Sequence, residues 1–190
     1  MSPATVTFSL AARRRIVALF LCVAIAVTGL VLPQSIPSAR AASPRLTISA
    51  LASYARTMLG ALNNERRAHG KRPLVANWHL QLSAWRHNRH MAYRDEMSHQ
   101  LRREPFFATR ISNAGYRWQA AAENIGWNSD LSLSGVLYLQ RAMYHEAAPD
   151  NGHRQNILSS SYTQVGINVY YDAAHNKIWF TQDFGQPATW

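Results

Sequence analysis

Residues 165–184 read VGINVYYDAAHNKIWFTQDF, and this stretch decides the fold class. Val165, Ile167, Val169 and Tyr171 alternate with Gly166, Asn168 and Tyr170, the period-two pattern of a strand with one buried face. Ile178, Phe180 and Phe184 continue the pattern in a second strand. Asp172 to Lys177 is a loop of hairpin length. Everything upstream has mainly helical spacing. Helices first and a hairpin last predict an α+β domain with an antiparallel sheet covered by helices.

Working back from the hairpin, the spacing predicts a first helix over about Thr47 to His69, with Leu51, Tyr54, Met58 and Leu62 on its inner stripe and Gly70 as its stop. Asn77 can cap a second helix through Leu80, Ala84, His87 or Asn88, and Met91, ending near Asp95. Phe107, Ile111 and Ala114 mark a short third helix stopped by Gly115. Ala121 to Trp127 reads as a strand with Glu123, Ile125 and Trp127 on one face. Asp130 or Ser132 can cap a fourth helix through Val136, Leu139 and Met143 to about Ala147, closed by Pro149 and Gly152.

The first forty-one residues have a different character. Arg13, Arg14 and Arg15 precede an unbroken apolar run of 17 residues, Ile16 to Leu32. Pro33 breaks it, and Ala39-Arg40-Ala41 fits an A-x-A cleavage site. This order describes a secretory signal over residues 1–41, with an uncleaved anchor as the alternative. Cys22, the single cysteine, lies inside the apolar run, so an internal disulfide framework and thiol catalysis in the rest of the chain are excluded. The chain carries 20 Lys+Arg against 10 Asp+Glu, a net charge of +10. Residues 1–41 hold four of the arginines and no acid, which leaves residues 42–190 with 16 basic and 10 acidic side chains, or +6. These arginines are scattered over the helices with no stripe of stacking aromatics, so no nucleic-acid partner is expected.

Four polar residues sit where apolar ones are expected. Glu123 shares a strand face with Ile125 and Trp127, a costly place for an unpaired carboxylate. Glu146 continues the Leu139–Met143 stripe at the C-terminus of the fourth helix, where the helix dipole disfavours an anion. His153 follows a Pro-Asp-Asn-Gly break, and His99 lies just past Met97. Two histidines and two glutamates suit a divalent ion such as zinc. They equally suit an acid/base cluster near neutral pH, or four residues each satisfied in its own turn. His145-Glu146 opens like a zinc-protease helix, but Pro149 stands where its second histidine belongs. The helical pair His87 and His90 receives no role, and no G-x-S-x-G, phosphate loop or dinucleotide fingerprint is present.

These residues lie in segments that resemble the CAP superfamily of cysteine-rich secretory, antigen 5 and pathogenesis-related proteins, closest to its cysteine-free bacterial, SCP-like branch. The segments are Leu62-Asn63-Asn64-Glu65-Arg66, Met97-Ser98-His99, Arg110-Ile111, Ala114-Gly115-Tyr116, Ala122-Glu123-Asn124-Ile125, Gly152-His153-Arg154-Gln155-Asn156-Ile157-Leu158, Val165-Gly166-Ile167 and Gln182-Asp183-Phe184-Gly185. Ala122 replaces the glycine of the G-E-N-[IL] motif. The resemblance spans about residues 58–186 of a domain over 42–190. It implies an α-β-α sandwich with a central antiparallel sheet, and a cleft where His99, Glu123, Glu146 and His153 meet, all four as ligands of a divalent metal. Among them Glu146 has His145 as a rival. Asn124 and Asn156 are read as structural groups that satisfy backbone beside the cleft, and Arg154 as the partner of an acid or the cover of the rim.

A family of this kind fixes function weakly. The expected function is a secreted, monomeric, non-catalytic binding or signalling module with a metal-capable cleft, its ligand a lipid, a glycan or a cell-envelope component. No membrane span is expected once the signal is removed. The rival readings are a metal-dependent extracellular hydrolase of peptidase type and a basic cell-envelope-binding protein.

Overall fold

The computed structural model describes residues 46–189. The export signal, its anchor alternative and Cys22 lie outside these residues. Among the described residues no helix is long and apolar enough to cross a membrane.

Helix α1 (Ile48–Ala68) starts at Thr47, whose side chain accepts from the Ala50 amide, and buries Ala55, Met58, Leu62 and Arg66. Strand β1 (Val75–Ala76) is followed by α2 (Trp78–Arg94), capped by Asn77 and closed by Asp95 in the left-handed conformation. Then come α3 (Phe107–Asn113), β2 (Trp118–Asn128), α4 (Leu133–Tyr144), α5 (Gly152–Leu158), β3 (Gln164–Asp172) and β4 (Lys177–Pro187). The sheet order is β1-β3-β4-β2. The three long strands pair antiparallel, with Glu123 opposite Asp183 and Gly166 opposite Asp183 from the other side.

Alternation along the strands sends two sets of side chains to two helical layers. Ala122, Val165, Ile167, Val169, Phe180 and Phe184 join Met58, Leu62, Val136 and Met143 in the larger core beneath α1, α4 and α5. Ile125 and Trp179 pack with Met91 and Ala92 of α2 on the opposite face. The chain is thus an α+β, α-β-α sandwich, as its sequence predicts. Gly166 is the point of closest approach. A Cβ there would lie 2.0 Å from the Gln81 amide nitrogen, so only glycine lets α2 rest directly on β3.

Three details differ from the sequence expectation. The two-residue β1 adds a parallel pairing, Val75 with Gln164 and Ala76 with Val165, to the antiparallel sheet. Helix α4 ends at Tyr144, so Glu146 lies in the following turn and not on the helical stripe. Helix α5 (Gly152–Leu158) forms directly after the Pro149–Gly152 break, where no helix is expected, because its N-terminus is satisfied by Glu146.

Candidate functional site

Glu123 projects from β2 into the α2–α3 layer and is 4% exposed. Its carboxylate receives the Arg110 guanidinium of α3 at Oε2 and the His99 ring nitrogen Nδ1 at Oε1, the latter at 2.9 Å. His87 of α2, fully buried, faces both sides: Nδ1 is 2.9 Å from Glu104 Oε1, and Nε2 is 3.9 Å from Glu123 Oε2. Arg110 also donates to the carbonyls of His99 and Pro105, so one guanidinium fixes both the carboxylate and the loop that carries His99. Burial alone would raise the Glu123 carboxyl. The His99 hydrogen bond and the charges of His87 and Arg110 outweigh it and hold the group below the usual range. Directly opposite, Asp183 is fully buried without a hydrogen-bond partner, and burial plus the Glu123 charge push its carboxyl well above its ordinary value. The facing pair is thus biased in opposite senses, Glu123 toward the ionised form and Asp183 toward the protonated one.

The second histidine is held in the same manner. His153 Nδ1 contacts Glu146 Oε1, while Glu146 Oε2 accepts from the His153 and Arg154 amides at 3.1 and 3.4 Å. Asn151 makes no side-chain cap bond, so Glu146 supplies the N-terminal cap of α5. The expected penalty at the C-terminus of α4 is replaced by a favourable anion at the N-terminus of α5. Arg154 donates to the Tyr144 carbonyl and lies 4.9 Å over the Tyr144 ring.

Behind both pairs runs a chain of amides. Asn156 donates to Asn124 Oδ1 (2.9 Å), Asn124 to Gln182 Oε1 (3.2 Å), Gln182 to Gln140 Oε1 (2.6 Å), and Gln140 to the Glu65 carboxylate (2.6 Å). Asn124 also donates to the His153 carbonyl, and Asn156 to that of Glu123. The chain ties α5, β2, β4, α4 and α1 together through fully buried Asn124, Gln182 and Gln140. At its far end, burial raises the Glu65 carboxyl to about 7 despite the Gln140 bond.

Because each histidine uses Nδ1 on its carboxylate, Nδ1 carries the proton and Nε2 is the ring nitrogen left free. The Glu123 oxygens are already engaged by Arg110 and His99. Among the described residues the only trio of His, Cys, Asp or Glu atoms within 4.8 Å of one another is Asp95, Asp172 and His175, so His99, Glu123, Glu146 and His153 do not form a preassembled four-ligand shell. In that other trio Asp172 already accepts from His175 and Trp179, and the Lys177 ammonium sits on Asp95 and 4.6 Å over the Trp127 ring. Beside His153 and Glu146 lies a depression of about 420 Å³ walled by Met97, Ile125, Trp127, Leu139 and Met143.

The sequence reading names the four His/Glu residues but assigns no role to Arg110 and His87, which flank Glu123, to Glu104 and Asp183 beside them, or to Glu65, Gln140 and Gln182, which complete the amide chain. A signal exists for some of them. Gln182 lies between Phe180 and Phe184 on a face that must be buried, and His87 lies on the stripe of α2. Arg110 stands in a segment of the resemblance that assigned it no role, and Glu104 carries no mark.

Solved structures share this arrangement of layers. A protein containing an SCP domain from Bacillus anthracis, described as extracellular, matches at TM-score 0.62 and 23% identity over 76% of this chain and 45% of its own. An outer surface protein of Borrelia burgdorferi matches at TM-score 0.61 and 13% identity, over 72% and 94%. A cysteine-rich secretory protein of Staphylococcus aureus matches at 0.53 and 18%, over 73% and 40%. This chain therefore spans less than half of the first and third. No curated protein sequence matches it. The architecture is that of the SCP domain. Residues 59–184 match the sequence profile of CAP, the Cysteine-rich secretory protein family, and the chain belongs to that family.

Proposed function

We propose that this chain is a secreted, non-catalytic binding or signalling module whose two His–Glu pairs border one cleft able to hold a divalent ion. The observation that carries the reading is the matched orientation of His99 and His153. Each ring nitrogen Nδ1 is held by a carboxylate, the arrangement that fixes metal-binding imidazoles and raises their basicity. The imidazoles of His99 and His153 would hold the ion, and Glu123 and Glu146 would orient them. A bound ion would add positive charge to which a ligand's oxygen could bind, while Trp127 and its apolar neighbours offer a surface to the ligand's body. The descriptions of the Bacillus protein as extracellular and of the Borrelia protein as an outer surface protein support the placement outside the cell.

Titration calorimetry with zinc on the purified chain tests this reading. Wild type is expected to bind, and His99→Ala with His153→Ala to lose at least about tenfold in affinity. Equal affinity in both proteins refutes the shared cleft. Cleavage of a peptide library that vanishes with Glu123→Gln refutes the non-catalytic reading.

A further inference from the structure

The two-residue β1 leaves most of one sheet edge uncovered. The Val75 and Asn77 amides donate to the Thr163 and Val165 carbonyls, so the odd-numbered residues of β3 direct their backbone groups to this edge. Among the described residues no strand pairs with β3 on that side beyond Val165. The N–H and C=O groups of Ile167, Val169 and Tyr171 therefore line the open side at a repeat of roughly 6.6 Å.

This edge is the floor of a trench. Helices α1 and α2 cover opposite faces of the sheet and form the two walls. Two contiguous depressions, of about 190 and 410 Å³, share Ala52, Ala55 and Gln81 and follow β3 from Val165 to Tyr171. The α1 wall is apolar and low, with Leu51, Ala52, Ala55 and Leu59, and the α2 wall carries Gln81 and Trp85. Ile48 is 88% exposed on one rim and Trp85 38% on the other. No Asp or Glu lines either depression. Arg56 lines the first, and Arg89 stacks 4.7 Å over Trp85.

We propose that this trench binds an extended peptide segment of a partner protein, one in which apolar side chains alternate with acidic ones. A sheet edge with regularly spaced donors and acceptors selects an extended backbone over a compact ligand or an acyl chain. On the added strand, side chains facing α1 meet Leu51, Ala52 and Ala55, and those facing α2 meet Gln81, Trp85 and Arg89. The first set must be apolar except beside Arg56 of α1, which favours an acid there, and the other acids belong to the second set, where Arg89 and the chain's positive charge favour them. The trench is separate in sequence and in lining residues from the His–Glu pairs, so the proposal is independent of the metal-capable cleft.

The test uses the full chain and an acetylated peptide of about eight residues alternating Val and Glu, close to the length of β3. The controls are a Val–Lys version and a Val–Glu version N-methylated at alternate amides. Binding is followed by fluorescence anisotropy and by amide hydrogen exchange. The Val–Glu peptide is expected to bind and to slow exchange at Ile167, Val169 and Tyr171, with both controls at least about tenfold weaker. Arg56→Glu with Arg89→Glu should weaken the Val–Glu peptide about as much. Ala52→Arg, at a partly exposed helical position, should block the trench while leaving the melting temperature and zinc binding unchanged. Equal binding of the three peptides overturns the proposal. So does unchanged exchange at the three edge amides, or their protection by raised protein concentration alone, which would assign the trench to a second copy of the chain.

Discussion

Glu123 shows how one buried carboxylate organises its surroundings. Arg110, His99, His87 and Asp183 reach it from α3, the loop after α2, α2 itself and β4. Replacing Glu123 by Gln removes the nearer of the two carboxylates beside the 7%-exposed Arg110 guanidinium and leaves it only Glu104, 3.7 Å away. Such a loss is expected to cost about 3 kcal/mol or more, measurable as a lower urea midpoint. Glu65 behaves in the opposite sense. Its folded carboxyl titrates near 7, above the ordinary value of 4.5, so the folded state favours the protonated form. The contribution to stability is complete below pH 4.5 and is lost as the pH rises toward 7. Glu65→Gln should therefore raise the melting temperature at pH 8 and change it little at pH 4, as thermal unfolding at the two pH values would show. Glu123 was legible in the sequence because a charge on an apolar strand face has to be explained. Arg110 was not, because its burial depends on α3 packing against β2, which no local pattern encodes.

At the scale of elements, length and periodicity decided what could be read in advance. α1, α2 and β3 have repeated apolar positions, and their observed bounds lie within one or two residues of the reading, while β4 runs three residues past Phe184 to Pro187. α5 has seven residues and takes its cap from Glu146, beyond Pro149 and Gly152. Its stability is tertiary in origin, so its sequence looks like a loop. Glu146→Ala should accordingly destabilise the protein by about 1 kcal/mol and speed amide exchange across residues 152–158. β1 is too short for any alternation to be seen, and with it the parallel pairing and the open edge were hidden. The contact of α2 with β3 gives a sharper test. Gly166→Ala places a methyl group against the Leu80–Gln81 backbone, and a loss of about 3 kcal/mol is expected in chemical denaturation.

Across the whole molecule, the described fold depends on packing and polar networks without covalent help. One cysteine cannot close an internal bridge, so a reductant should leave the thermal unfolding curve unchanged. Arg66 does part of what a cross-link does elsewhere. It is 1% exposed and donates to the carbonyls of Arg72, Ile157 and Ser159, which fastens α1 to the end of α5 and to the loop before β1. The scattered positive charge gave no information about partners at the level of composition. Only the folded chain shows Arg56 and Arg89 beside an edge that lacks acids.

The amide chain from Asn156 to Glu65 makes four side-chain orientations into a single decision. Every NH₂ group points toward α1, each amide oxygen accepting from the amide before it and the Glu65 carboxyl accepting at the end. If Gln182 became Glu, two acceptors would face each other at Gln140. Turning the Gln140 amide over would only move the conflict to Glu65, which would then have to take up a proton. The interior therefore tests a substitution by direction as well as by volume. A replacement of identical shape anywhere along this line can fail for the same reason that a reversed diode blocks a circuit.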